Sequence, residues 1–134
     1  MNILLDTQIT IWAFTNDKRL SAKAREIILS PQNILFFSSA SAIEVDWKTK
    51  SKNNNLEFNT AEYLDICYNA GYIQFPMKGE HVAASNNLVW NGDGPEHKDP
   101  FDRLLLAQAM SENLMFMTHD VEISKFKQDC VILV

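Results

Sequence analysis

The chain has 134 residues, of which 46% are hydrophobic and 22% charged, with a formal net charge of −5. That length fits one hydrophobic core, and the composition is that of an ordinary globular domain. The charge excludes bulk attraction to nucleic acid as the organising signal. No apolar run approaches the ~20 residues of a membrane helix, and Met1 to Asp6 lacks the basic-then-apolar shape of a secretory signal. The expectation is a single cytoplasmic domain over residues 1–134. A nucleic-acid partner would need a local basic strip and a bound metal to overcome the repulsion; a basic protein segment fits the charge equally well.

In chain order, Asn2 to Leu5 is a short apolar run ended by Asp6, which suits a buried strand. Ile9, Trp12 and Ala13 then fall at helical spacing over 7–15. Ser21 opens a helix to about Leu29, with Ala24, Ile27 and Ile28 on one face, and Pro31 stops it. Residues 33–38 read as a second buried strand, followed by a helix from about Ala40 to Lys50. Ser51 to Asn55 is polar and turn-like. Thr60 is expected to cap a helix to about Ala70, ended at Gly71. Tyr72 to Phe75 is a short strand, 78–88 a helix, and Asn91 to Pro95 the loosest stretch. A helix from near Pro100 to Asn113, a strand over Leu114 to Met117, a short helical turn after Asp120 and a last strand over Val131 to Val134 complete the chain. Cys67 and Cys130 stand apart and read as small buried apolar residues, not a disulfide or metal pair.

Helices between successive strands predict an α/β fold, a mainly parallel central sheet sandwiched by helices. In such sheets ligands bind beyond the carboxyl ends of the strands. Asp6 and Asp120 both stand there. Glu44 and Asp102 lie near the starts of helices. Carboxylates repel, so a fold that gathers several usually does so around a divalent cation.

Each acid also has a plainer reading. Asp6 can cap the helix that follows it. Ser41 and Glu44 spell a capping box, unless the helix starts at Ser38 or Ser39 and places Glu44 in its second turn with Lys48 one turn on. Asp46 reads as a solvated side chain. Asp99 and Pro100 make a strong helix start, and Asp102 then lies at the buried end of an apolar helix, where a metal, Arg103 or Arg25 would relieve its charge. Asp120 can cap a turn. Thr118 can hydrogen-bond a ligand or a water. His81, His97 and His119 read as ordinary loop residues, because hard cations prefer oxygen. Carboxylates without a Cys or His cluster favour Mg²⁺ or Mn²⁺ over zinc. Trp47, Lys48, Lys50 and Lys52 form the one local basic and aromatic cluster; Trp47 and Lys48 are candidate RNA contacts, and Trp47 equally suits the core or a dimer seam. No Gly-rich phosphate loop or nucleophile elbow is present.

These residues resemble a known family. Leu4-Leu5-Asp6-Thr7, Trp12-Ala13, the Ser-Ala-x-x-Glu around Glu44, the run from Asp99 to Ala109 and the Thr118-His119-Asp120 turn are similar to a PIN domain, and more narrowly to the VapC-type toxins of bacterial toxin–antitoxin pairs. The likeness spans 1–134, and the 99–109 run is its most specific element. It implies an α/β/α sandwich, Mg²⁺- or Mn²⁺-dependent ribonuclease activity, a homodimer and a neutralising antitoxin. The family's acidic positions fall on Asp6, Glu44, Asp102 and Asp120, with Asp99 auxiliary. Relatives often carry two adjacent histidines before the Asp-Pro-Phe-Asp run; here Glu96 takes the first position and only His97 remains. The Gly-bearing turn common after the second acid is replaced by Lys48 to Asn55.

Two other classes compete. A PIN-like fold can serve as a non-catalytic module for RNA or protein contact. A phosphotransfer domain also uses an Asp beyond a strand, but the phosphatase pattern wants a second Asp where Gln8 stands, and a receiver wants a Lys after a late strand, where the sequence reaches Val134 instead.

Overall fold

The computed structural model describes residues 1–134 as five strands and six α-helices. The strands are β1 (Asn2–Leu5), β2 (Ile34–Ser38), β3 (Ile73–Phe75), β4 (Met115–Thr118) and β5 (Val131–Leu133); the helices are α1 (Thr7–Phe14), α2 (Ala22–Leu29), α3 (Ser39–Thr49), α4 (Thr60–Asn69), α5 (Gly79–Ser85) and α6 (Pro100–Ser111). A short 3-10 helix covers Ile123–Lys125. The strands form one sheet in the order β3-β2-β1-β4-β5, and every neighbouring pair is parallel.

Alternation along the strands builds two separate cores. On one face Ile3 and Leu5 of β1, Leu35 and Phe37 of β2 and Met117 of β4 pack with Ile9, Trp12, Ala24, Tyr63 and Cys67 from α1, α2 and α4. On the other, Leu4 and Phe116 pack with Leu105, Leu106 and Ala109 of α6. Because both faces are covered, the strands read as continuous apolar runs. The result is the three-layer α/β/α sandwich expected from the element order.

Local chemistry sets the helix ends. Ser21 accepts from the Ala24 amide at 3.1 Å, and α4 carries a full capping box. Its cap is Asn59, with Glu62 as reciprocal partner, not Thr60; the Thr60 hydroxyl instead donates to Asp46. Asp46 also holds Lys50 at 2.6 Å and so is not simply solvated. Gly71 ends α4 at φ +82°, where a side chain would be strained. The fifth helix stops at Ser85, short of the expected 88, where Asn86 and Asn87 turn back on Ala83 and Ala84. The fourth strand runs one residue further than expected and takes in Thr118. Of the two cysteines, only Cys67 is buried; Cys130 is partly exposed.

The strand order reverses between β1 and β4: the chain winds outward through β2 and β3, then returns to add β4 and β5 on the opposite side of β1. The crevice at such a switch point, beyond the carboxyl ends of the strands, is where this class of sheet binds ligands.

Candidate metal centre

Asp6 leaves the end of β1 at this switch point and is 4% exposed. It occupies the N-cap position of α1, yet its side chain makes no capping bond. The carboxylate turns instead to β4, where the Thr118 hydroxyl donates to its Oδ2 at 2.6 Å. The same hydroxyl oxygen accepts from the Asp120 amide at 3.1 Å. Thr118 thus joins two acids supplied by neighbouring strands.

Glu44 reaches the same edge because α3 starts at Ser38, which accepts from the Ala40 amide. The capping-box spelling at Ser41 is not used: Ser41 is buried and accepts from Thr7 at 2.8 Å. Glu44 therefore falls in the second turn. Its Oε2 lies 3.4 Å from Lys48, while its Oε1 is buried with no hydrogen-bond partner. A buried carboxylate oxygen without a donor is costly.

Asp102 is held by the start of α6. Asp99 caps that helix, accepting from the amides of Phe101 and Asp102, with Pro100 at the first position. Asp102 Oδ2 meets His97 Nε2 at 2.7 Å, and Asp120 Oδ2 lies 3.8 Å from the same nitrogen. Neither arginine expected to relieve Asp102 does so. Arg25 binds Asn16 and the Asp17 carbonyl. Arg103 binds Glu96, the Ser85 carbonyl and the His97 carbonyl, with its guanidinium over Phe126. Both arginines are claimed by nearer backbone groups, and His97 is the partner that the sequence reading passed over.

The electrostatics follow from this crowding. Burial pushes Asp6 up to about 7; the Thr118 bond opposes the rise, and the charges of Asp102, Glu44 and Asp120 add to it. Burial likewise raises Asp102 to about 6 against the hydrogen bond from His97. At His97 burial favours the neutral ring, but the bond to Asp102 and the charges of Asp102, Asp120 and Asp99 outweigh it and raise the imidazole above its ordinary value. The four acids therefore sit within electrostatic reach of one another.

The other histidines play different parts. His81 is buried in α5, its Nδ1 accepting from the Lys78 amide and its Nε2 facing Glu112 at 2.6 Å, so it ties α5 to α6. His119 stacks on Trp12 with centroids 4.4 Å apart. Trp47 is 64% exposed, in an edge-to-face contact with Phe101, which rules out a core position. Lys48 bridges Glu44 to Gln8, at 3.4 Å from each. Beyond Lys48 opens a cleft of about 630 Å³, lined by Gln8, Trp12, Arg19 and the loop from Asn53 to Asn55. No sequence signal pointed to that cleft, because it is assembled from α1 and a loop some forty residues later.

An oxygen-rich set of this kind suits a hard divalent cation. The unpartnered Glu44 oxygen and the raised Asp6 fit the same reading, since a cation would supply the missing partner and relieve the repulsion.

The PIN domain family profile matches residues 3–128. Among solved structures, the chain is similar to VapBC2 from Rickettsia felis bound to a DNA fragment from its promoter, at TM-score 0.64 and 19% identity, covering 100% of this chain and 98% of that one. It is also similar to a toxin–antitoxin complex from Klebsiella pneumoniae, at TM-score 0.60 and 16% identity, covering 97% of this chain and 95% of that one. No curated protein matches the sequence at a significant level.

Proposed function

Because the chain belongs to the PIN domain family, we propose that it is a Mg²⁺- or Mn²⁺-dependent endoribonuclease, the toxin of a toxin–antitoxin pair. The observation that carries this reading is the convergence of Asp6, Glu44, Asp102 and Asp120 at the switch point, with Asp6 buried and raised to about 7 and a Glu44 oxygen left without a donor. The two toxin–antitoxin structures that share the fold support the toxin assignment and an antitoxin partner.

The four carboxylates would hold the cation, with Thr118 fixing Asp6 and Asp99 fixing the helix start beneath Asp102. A bound divalent ion supplies positive charge to the scissile phosphate and lowers the pKa of a water that attacks it. Lys48, beside Glu44, meets a phosphate entering from the cleft side. Trp47 offers an exposed ring for an unstacked base, and the amide-bearing side chains of Gln8 and Asn53 to Asn55 can bond base edges in the adjacent cleft. These features favour single-stranded RNA. Ile43 and Trp47 are both exposed one turn apart on α3 and give an antitoxin or a second copy an apolar foothold beside the acids. No helix is long and apolar enough to cross a membrane, and we place the reaction in the cytoplasm, in a homodimer of single-domain chains.

The test is cleavage of a mixed RNA pool by purified protein in Mn²⁺, beside a chelator control and the Asp102→Asn variant. Cleavage by the wild type alone, and only with metal, is expected. Specific RNA binding in chelator with no cleavage in Mn²⁺ would instead make the chain a binding module.

A further inference from the structure

We propose that His97 is a direct ligand of the bound cation, through Nε2, and that this nitrogen makes the centre favour Mn²⁺ over Mg²⁺. The inference rests on the metal-centre reading above. It does not follow from the acids, which alone describe an all-oxygen site.

The geometry sets His97 apart from the other two histidines. Its Nε2 lies 2.7 Å from Asp102 Oδ2 and 3.8 Å from Asp120 Oδ2. One donor atom from each of the three residues falls within 4.8 Å of the others. An octahedral ion with ligands at about 2.1 Å separates adjacent donors by about 3 Å and opposite ones by about 4 Å. The three donors converge on one point, the closest pair at hydrogen-bond length, near enough for one ion to replace that bond and draw on all three. His81 has both ring nitrogens engaged elsewhere, and His119 packs on Trp12.

The ring is also placed by construction. Arg103, one residue past Asp102, donates to the His97 carbonyl at 3.4 Å and to Glu96 at 2.8 Å. It further binds the Ser85 carbonyl and lies over Phe126. The segment carrying His97 is thus fastened on both sides of the residue to the helix that carries Asp102. Glu96, which stands where relatives often have a histidine, serves as one of these anchors.

Donor chemistry supplies the preference. Mg²⁺ binds oxygen and gains little from an imidazole, whereas first-row transition ions accept nitrogen beside carboxylates. One nitrogen among the oxygens therefore raises affinity for Mn²⁺ selectively. Binding displaces the Nε2 proton that now bonds Asp102; with the ring proton on Nδ1 instead, Nε2 presents its lone pair to the ion.

The experiment loads the purified protein with Mn²⁺ alone. The fall of the free-ion electron paramagnetic resonance signal counts bound metal, and spin-echo envelope modulation reports whether a nitrogen is coordinated. The wild type is expected to bind Mn²⁺ with imidazole nitrogen modulation. His97→Gln is expected to bind it through the carboxylates without that modulation, and its Mn²⁺-to-Mg²⁺ affinity ratio to fall roughly tenfold or more. His119→Gln keeps the modulation. Bound Mn²⁺ without nitrogen modulation in the wild type, or modulation that persists in His97→Gln, overturns the proposal and leaves the carboxylate centre standing. Failure of the wild type to bind Mn²⁺ at all overturns the metal-centre reading itself. If His97→Gln does not fold, the wild-type and His119→Gln spectra still decide.

Discussion

Asp6 is a group whose cost to the fold and value to the site have opposite signs. Its pKa rises from 3.8 to about 7, so between those values the folded protein holds a proton that the unfolded chain has released. Folding is therefore favoured at the lower end of this window, and stability falls as pH rises through it. Asp102 and His97, both raised, act in the same direction; Asp17, lowered to about 2, changes stability only in more acid solution. Metal-free protein should melt at a lower temperature at about pH 8 than at about pH 5, and Asp6→Asn should flatten that fall and raise the melting temperature at the higher pH. The same variant should lose metal binding and cleavage. A calorimetric pH series on Asp6→Asn that parallels the wild type would refute the assignment of this burden to Asp6.

Thr118 shows how an uncharged residue can matter as much. Its hydroxyl is the one group that touches both Asp6 and the Asp120 backbone. Thr118→Val keeps the shape and removes both bonds, and supporting groups of this kind are worth ~10–100-fold in metal affinity. Titration calorimetry should find Mn²⁺ binding weakened by that order, with the far-ultraviolet spectrum unchanged. An unaltered affinity would reduce Thr118 to a packing residue.

At the scale of elements, most of the scaffold was legible because apolar runs, caps and breakers agree. The runs 2–5 and 34–38, the Ser21 cap and the Asp99-Pro100 start all state their structure locally. The start of α3 was ambiguous because Ser38 and Ser41 both spell a cap; burial of Ser41 against Thr7, a contact across the fold, decides it. His97 was illegible for a related reason. Asp102 stands only five residues on, but whether the ring meets it is decided by the loop between them, which Arg103 fastens, and no residue pattern states that loop's conformation. The capping box of α4 gives a scaffold control. Asn59→Ala should destabilise the protein by ~1 kcal/mol, read in urea unfolding. Because α4 packs on the sheet face away from α6, Mn²⁺ affinity should stay at the wild-type value; a matching loss of affinity would mean the acids are coupled to the whole helical layer.

At the scale of the molecule, the net charge of −5 works against the proposed RNA substrate. Lys50 is committed to Asp46, Arg19 to Asp17, and Arg103 to Glu96. Few cations beyond Lys48 remain to meet phosphates near the acids. Cleavage under subsaturating RNA should therefore depend weakly on salt, with a log–log slope of about −1 to −2, as for roughly two single-strand phosphate contacts. A slope several times steeper, measured with monovalent salt at fixed Mn²⁺, would reveal a basic surface that the paired side chains do not suggest.

The central strand of the sheet, β1, comes far ahead in the chain of the partner β4 that completes its edge, with Asp6 and Thr118 112 residues apart. The amide of Asp6 bonds the Met117 carbonyl, and its carboxylate bonds Thr118. A nascent chain on the ribosome thus carries Asp6 and Glu44 long before it can place them. Until β4 emerges and slots beside β1, the acids have no common edge. The strand order thus makes the acidic edge a late product of folding, complete only once the 112 positions that separate Asp6 from Thr118 have been made.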